Sequence, residues 1–211
     1  MVYDLGLSME SANNIKGKCL VELRRFPFEE YPSYVGNLKE YRWKSLVMAM
    51  ALKEFGAIWY MDSSVRWLED SRQMVYKEVM CRLYSYLPTD IEALKTERCY
   101  DAAFAFIAKT VEASELMRWY VLCALEKDCM GPPEAQLACS FAKDKLRIYA
   151  NCHRYDQSVI NILLANAYDY KANNYVVRII RNGRESVVLH RYPENNLTAS
   201  NFSCSSELHV H

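Results

Sequence analysis

Three short segments of this chain carry residue types that can do chemistry, and a set of cysteines can brace them. The first is Trp59-Tyr60-Met61-Asp62-Ser63-Ser64, where an apolar run ends in a carboxylate and two hydroxyls. A carboxylate at the end of a buried strand is costly unless it is paired or bound to metal. A hard cation such as Mn2+ or Mg2+ takes carboxylate and other oxygen ligands. Asp62 supplies one, and the Ser64 hydroxyl can join directly or through water. The pair reads as Asp-x-Asp with Ser in the place of the second acid. Asp62 can equally cap a loop or the next helix. The second segment, Tyr41-Arg42-Trp43-Lys44, opens a helical stretch. A cation there can pair with phosphates or with Asp62, the alternative being a core Trp43 beside a solvated Lys44. The third is Cys152-His153-Arg154-Tyr155-Asp156-Gln157-Ser158. Asp156 can cap a helix. A dense polar cluster at a helix start can also grip sugar hydroxyls or phosphate through free backbone N–H groups. His153 can ligate a metal or donate a proton, or be structural.

Cys123, Cys129, Cys139 and Cys152 are closely spaced. The separations lack the short paired spacing of zinc sites. The set is expected to form two disulfides of open connectivity, with free buried thiols as the alternative.

These segments need elements to position them. Residues 1–5 read as a short strand running into a loop at Gly6, and residues 18–26 as a second strand with Cys19, Val21 and Leu23 on one face. Trp43, Leu46, Val47, Met50 and Ala51 fall on one face of a helix over 41–55, and Gly56 stops it. Residues 57–61 (AIWYM) read as a strand buried on both faces of a parallel sheet. Helices are expected over 68–84, 110–127 and 156–167, with a break at Gly131-Pro132-Pro133. Asn182-Gly183 between apolar runs is a hairpin signal. The order predicts a doubly wound α/β sheet, with ligands outside the carboxyl ends of its strands, where Asp62 would lie. The domain is expected over 1–192, followed by a polar tail over 193–211.

The chain has 211 residues, 51% of them hydrophobic, enough for one domain with its own core. Lys+Arg 26 against Asp+Glu 26 leaves no net charge and no electrostatic footprint for nucleic acid or an anionic membrane. No apolar run reaches the roughly 18 residues that a spanning helix needs, and the first residues lack a signal-peptide pattern. Two sequons, Asn196-Leu197-Thr198 and Asn201-Phe202-Ser203, together with the clustered cysteines among eight in all, point instead to an oxidising lumen. No Gly-rich phosphate loop, Gly-x-Ser-x-Gly or His-Glu-x-x-His occurs.

Five ordered segments, VYDLGLS (2–8), YRWKSLV (41–47), IWYMDSSVRW (58–67), WYVLCAL (119–125) and NCHRYDQS (151–158), resemble an animal family of nucleotide-diphospho-sugar transferases once filed as a domain of unknown function. The resemblance spans residues 2–175. It implies the GT-A fold, a mixed sheet flanked by helices, incomplete here at the N-terminus because the strand and loop that hold the nucleotide base precede VYDLGLS in such domains. It implies a type II membrane protein facing the Golgi or secretory lumen, with an anchor absent from this chain. Asp62 and Ser64 stand in the Asp-x-Asp place, binding Mn2+ or Mg2+ that neutralises the leaving diphosphate. Trp43 and Lys44 lie near the donor, while Asp156 and Gln157 resemble the Asp-Gln pair that lines a sugar site. The activity implied is hexose transfer from a nucleotide-diphosphate sugar to a glycan or protein acceptor. The rival readings are a non-catalytic luminal binding domain on the same fold, and a cytosolic α/β protein with reduced thiols.

Overall fold

In the computed structural model, residues 1–16, 21–63, 65–67, 83–96, 99–133, 135–139, 152–176, 180–181, 184–185 and 187–189 are described. They form a mixed α/β structure of small sheets and helices. Two compact units divide at Pro27 and Phe28.

In the smaller unit, strand β1 (Val2–Asp4) pairs in parallel with β2 (Leu23–Arg25), with Tyr3 opposite Arg24. Between them lies helix α1 (Met9–Ile15), a stretch not read as helix from sequence. Ser8 caps it, its side chain accepting from Ser11 N at 3.1 Å. The Asp4 carboxylate accepts from the N–H groups of Gly6 (2.8 Å) and Leu7 (2.6 Å), which shapes the turn out of β1.

The larger unit opens with three short 3-10 turns and then helix α2 (Arg42–Phe55). Gly56 ends α2 at φ 74°, its N–H returning to the Leu52 carbonyl, a conformation that glycine adopts without penalty. Strand β3 (Ala57–Met61) follows, then β4 (Val65–Trp67), α3 (Ile91–Thr96), β5 (Phe104–Ala108), α4 (Val111–Leu125), the single turn α5 (Lys127–Met130) and α6 (Asp156–Ala167). The last elements are β6 (Ile180–Arg181), β7 (Arg184–Glu185) and β8 (Val187–Leu189). β6 pairs antiparallel with β7 across residues 182–183, as the Asn-Gly signal predicts, and β8 pairs antiparallel with β4. The expected helix over 68–84 lies outside the described residues as far as 82. Residues 83–85 are a 3-10 turn.

β3 is where the sequence reading fails. It pairs antiparallel with β5, Trp59 facing Phe106, and is not a strand of a parallel sheet. Nor is it buried on both faces. Ile58 and Tyr60 pack against the core, while Trp59 is 55% exposed and Met61 47%. On the outer face Trp59 packs against Phe104 and Phe106, with ring centroids 5.2 and 4.7 Å apart, so the exposed aromatics cover one another.

The core of the larger unit lies among α2, α4 and α6, with Met48, Leu52, Met117, Tyr120, Val159 and Ile162 buried together. Thr110 starts α4, its hydroxyl accepting from Ala113 N at 3.1 Å. Disulfides Cys123–Cys129 and Cys139–Cys152 tie the end of α4 to α5 and the approach to α6 to the preceding loop. They resolve the connectivity that spacing left open. Cys19, Cys81, Cys204 and both sequons lie outside the described residues. No helix among the described residues is long and apolar enough to cross a membrane.

Candidate functional site

The helix that carries Lys44 is entered through an unusual backbone. Tyr41, the residue before α2, is left-handed at φ 55°, ψ 18°. The helix therefore starts abruptly, and its first turn puts Arg42, Lys44 and Ser45 inside the protein. The helix that carries Asp156 is also preceded by a positive-φ residue. Tyr155 caps α6 at φ 47°, ψ −109°, a conformation rare for a side chain branching at an aromatic ring. Asp156 is the first residue of α6, as the helix expected over 156–167 has it, and the option that it caps the helix is not taken. Its side chain turns inward and is buried.

There the two helices meet the end of β3. The Lys44 ammonium lies 3.0 Å from Asp62 Oδ2 and 2.9 Å from Asp156 Oδ2, so one cation bridges two carboxylates. Tyr60 OH donates to the other oxygen of Asp62 at 2.5 Å. The rings of Tyr41 and Tyr60 stand 5.0 and 5.9 Å from the ammonium, within cation–π range. The pairing of Lys44 with Asp62 was one of the options open in the sequence. A solvated Lys44 beside a core Trp43 was another, and the side chain is only 6% exposed. Asp62 is the open member of the group, at 24%.

The electrostatics follow from burial. Desolvation pushes the Asp156 carboxyl up to about 6 against the pull of Lys44. Burial alone would depress the Lys44 ammonium, but Asp156 and Asp62 together hold it above its usual value. Burial and the neighbouring carboxylates raise the phenols of Tyr60 and Tyr120, which stay neutral donors. Tyr120 OH and Trp43 Nε1 are buried polar atoms with no hydrogen-bond partner among the described residues, and Asp156 Oδ2 meets the Lys44 ammonium at ion-pair distance without an aligned hydrogen bond. Such groups are uncommon and call for a partner. Gln157 is buried beside Asp156, its backbone N–H donating to the Arg154 carbonyl at 3.0 Å.

His153 is placed differently. It is buried, its ring set edge-on to Tyr155 at 5.2 Å, and Nε2 lies 2.9 Å from the Met130 carbonyl. A carbonyl only accepts, so Nε2 carries the proton. Burial lowers the imidazole's affinity for a second proton. This histidine fastens the approach to α6 onto α5.

The structure thus brings Lys44, Asp62, Asp156 and Gln157 into one neighbourhood and commits His153 Nε2 to the backbone. Ser64 lies outside the described residues. No group of three His, Cys, Asp or Glu side chains suited to a metal occurs among the described residues. The arrangement does not fit a divalent ion bridging the two carboxylates. The oxygens that would bridge it both face the Lys44 ammonium, and the second Asp62 oxygen faces the Tyr60 hydroxyl. Tyr60 and Tyr120 were missed from sequence. Tyr60 is two residues before Asp62, on the opposite face of the strand from Trp59, and strand alternation alone would have found it.

The raised Asp156 carboxyl gives a direction to the pH dependence of stability. Unfolded, this group ionises near 3.8, and folded near 6. Between these values the folded state binds the extra proton, so this group's contribution to stability falls as pH rises and is flat above the window. Relative to Asp156→Asn, the parent therefore loses stability between about pH 4 and pH 6 and holds a constant difference above about pH 7. Unfolding midpoints of both proteins across this range test it; parallel curves would refute it. His153 titrates in both proteins and cancels in the comparison.

Residues 1–49 match a family model described as "Protein of unknown function (DUF1647)". The matched stretch ends within α2 and includes Trp43 and Lys44 but neither Asp62 nor Asp156. No curated protein and no solved structure matches the chain.

Proposed function

We propose that this chain is a GT-A-like nucleotide-diphospho-sugar transferase domain, moving a hexose from a nucleotide-diphosphate sugar to a hydroxyl of a glycan or protein. The observation that carries the reading is the convergence of Lys44, Asp62 and Asp156. Each belongs to a different segment of the family resemblance, YRWKSLV, IWYMDSSVRW and NCHRYDQS, and they meet although 18 and 94 residues separate them along the chain. Chemistry that orients a sugar needs fixed acceptors for hydroxyls beside fixed donors for the leaving oxyanion. Asp62 and Asp156 are the acceptors. Lys44 is the donor, with the buried Tyr120 hydroxyl behind it. Gln157, next to Asp156, completes the sugar side.

The two disulfides support an oxidising, secretory setting, which a Golgi-lumenal type II protein would occupy. A non-catalytic luminal binding domain on the same fold is the second reading, favoured by how fully the charged groups are engaged with one another.

Thermal unfolding with UDP in excess and Mn2+ present tests the reading. A ligand that binds only the folded state at about 100 times its Kd adds roughly 2.7 kcal/mol, which for a chain of this size is a rise of about 5–10 °C. The rise is expected in the parent and absent in Asp62→Ala. If UDP leaves both midpoints unmoved, the nucleotide reading fails. A shift with UDP but no transfer from any UDP-hexose would favour the binding domain.

A further inference from the structure

We infer that the resident cation of this site is Lys44 itself, its ammonium holding the position between Asp62 and Asp156 from which a divalent ion is thereby excluded. The geometry is that of a bridged pair. One oxygen of each carboxylate faces the ammonium at 3.0 and 2.9 Å, with Tyr60 OH on the remaining Asp62 oxygen. Two ionised carboxylates and one ammonium sum to −1 (+1 − 2), a charge that in an open site would invite a second cation. Here a divalent ion entering between the carboxylates must first expel the ammonium, whose side chain is 6% exposed. The displaced charge would then sit desolvated beside a doubly charged ion, and that repulsion is large in a water-poor site. α2 is packed against α4 and α6, so the helix itself offers the lysine no retreat.

For the donor the inference rests on the transferase reading: the site binds nucleotide diphosphate without added divalent metal. For the metal itself it does not rest on that reading, and the two are tested apart. Mn2+ alone is titrated into the parent, Asp62→Asn, Lys44→Met and the double variant K44M/D62N, with bound ion followed by electron paramagnetic resonance. The parent is expected to show no Mn2+ binding that Asp62→Asn removes. Lys44→Met is expected to gain a site at least about tenfold tighter, lost again in the double variant. An Asp62-dependent site in the parent as tight as in Lys44→Met overturns the inference. Should Lys44→Met fail to fold, the parent against Asp62→Asn decides by itself, since any Asp62-dependent binding in the parent counts against exclusion. The UDP midpoint shift is then repeated in EDTA. An equal shift with EDTA and with Mn2+ supports metal-independent binding. A shift only with Mn2+ overturns it and leaves the transferase reading standing. No shift in either removes that reading, while the Mn2+ titration still decides the place of Lys44.

Discussion

Arg42→Met lowers the stability of the larger unit by about 3–5 kcal/mol, the range found when one member of a buried charged network is removed. Arg42 is 1% exposed. Its Nη1 donates to the carbonyls of Ala124 and Glu126, both at 2.9 Å, and Nη2 to Lys127 at 2.6 Å. Ala124 lies in the last turn of α4, whose carbonyls have no intrahelical partner, Glu126 is its C-cap and Lys127 opens α5, so one guanidinium from the start of α2 ties the C-terminus of α4 to α5. Nε donates to Glu40 Oε2 at 2.5 Å, and the guanidinium stacks 4.9 Å over the Tyr34 ring, whose hydroxyl donates to the Leu125 carbonyl. Methionine fills the volume but satisfies none of these acceptors. The unfolding midpoint is expected to fall by about 6–20 °C, with Arg42→Lys between parent and Met because it keeps the charge but not the fork. A drop equivalent to less than about 1 kcal/mol would show that water replaces the guanidinium freely. Gly131 faces the same pair. A Cβ there would lie 2.6 Å from Glu40 Oε2 and 2.7 Å from Arg42 Nη2, so Gly131→Ala pushes on the same network.

Removal of the disulfides is the second large effect. Chain-entropy arithmetic for loops of 6 and 13 residues gives about 2 kcal/mol for Cys123–Cys129 and about 3 kcal/mol for Cys139–Cys152. Their sum, about 5 kcal/mol, equals the whole stability of a marginal domain. Full reduction is therefore expected to unfold the larger unit or bring it to the edge of unfolding. Cys139→Ser with Cys152→Ser alone should cost about 3 kcal/mol. It also loosens the segment leading through His153 and Tyr155 to Asp156. Peptide mapping under non-reducing conditions should recover Cys123 linked to Cys129 and Cys139 linked to Cys152. Unfolding midpoints indifferent to a reductant would mean that these bonds do not hold the fold.

Much of the scaffold is legible in the sequence because helices advertise themselves locally. The stripe from Trp43 to Ala51 and the one from Val159 to Leu164 place α2 and α6 within a residue of where they lie. β3 is legible as a strand but not in its surroundings. A continuous run such as AIWYM says that the segment is apolar, not which neighbour covers it. Its partner β5 starts more than forty residues later, and the outward Trp59 is sheltered by aromatics from that strand. Within the site, Lys44 near Asp62 was readable because the family resemblance sets both near the donor and their charges oppose. Asp156 as the third member was not. Its position at a helix start looks like a cap, and the positive-φ residue Tyr155 that takes the cap position, which no local pattern announces, leaves the Asp156 carboxylate buried. The burial of Lys44 was hidden for a related reason: a lone lysine in an apolar helix normally reaches water, unless partners from distant elements meet it.

The separation of those partners along the chain has a consequence for synthesis. A ribosome delivers Lys44 and Asp62 early and Asp156 about ninety residues later, and domains form as their last essential part emerges. Until then α2 carries an ammonium with half its counter-charge, and the Cys139–Cys152 bond that anchors the approach to α6 has no second thiol to close on. The nascent chain therefore has to wait for α6 before the two ends of its charge cluster neutralise each other. Quality control that senses exposed, unneutralised segments has a long interval in which to act on it.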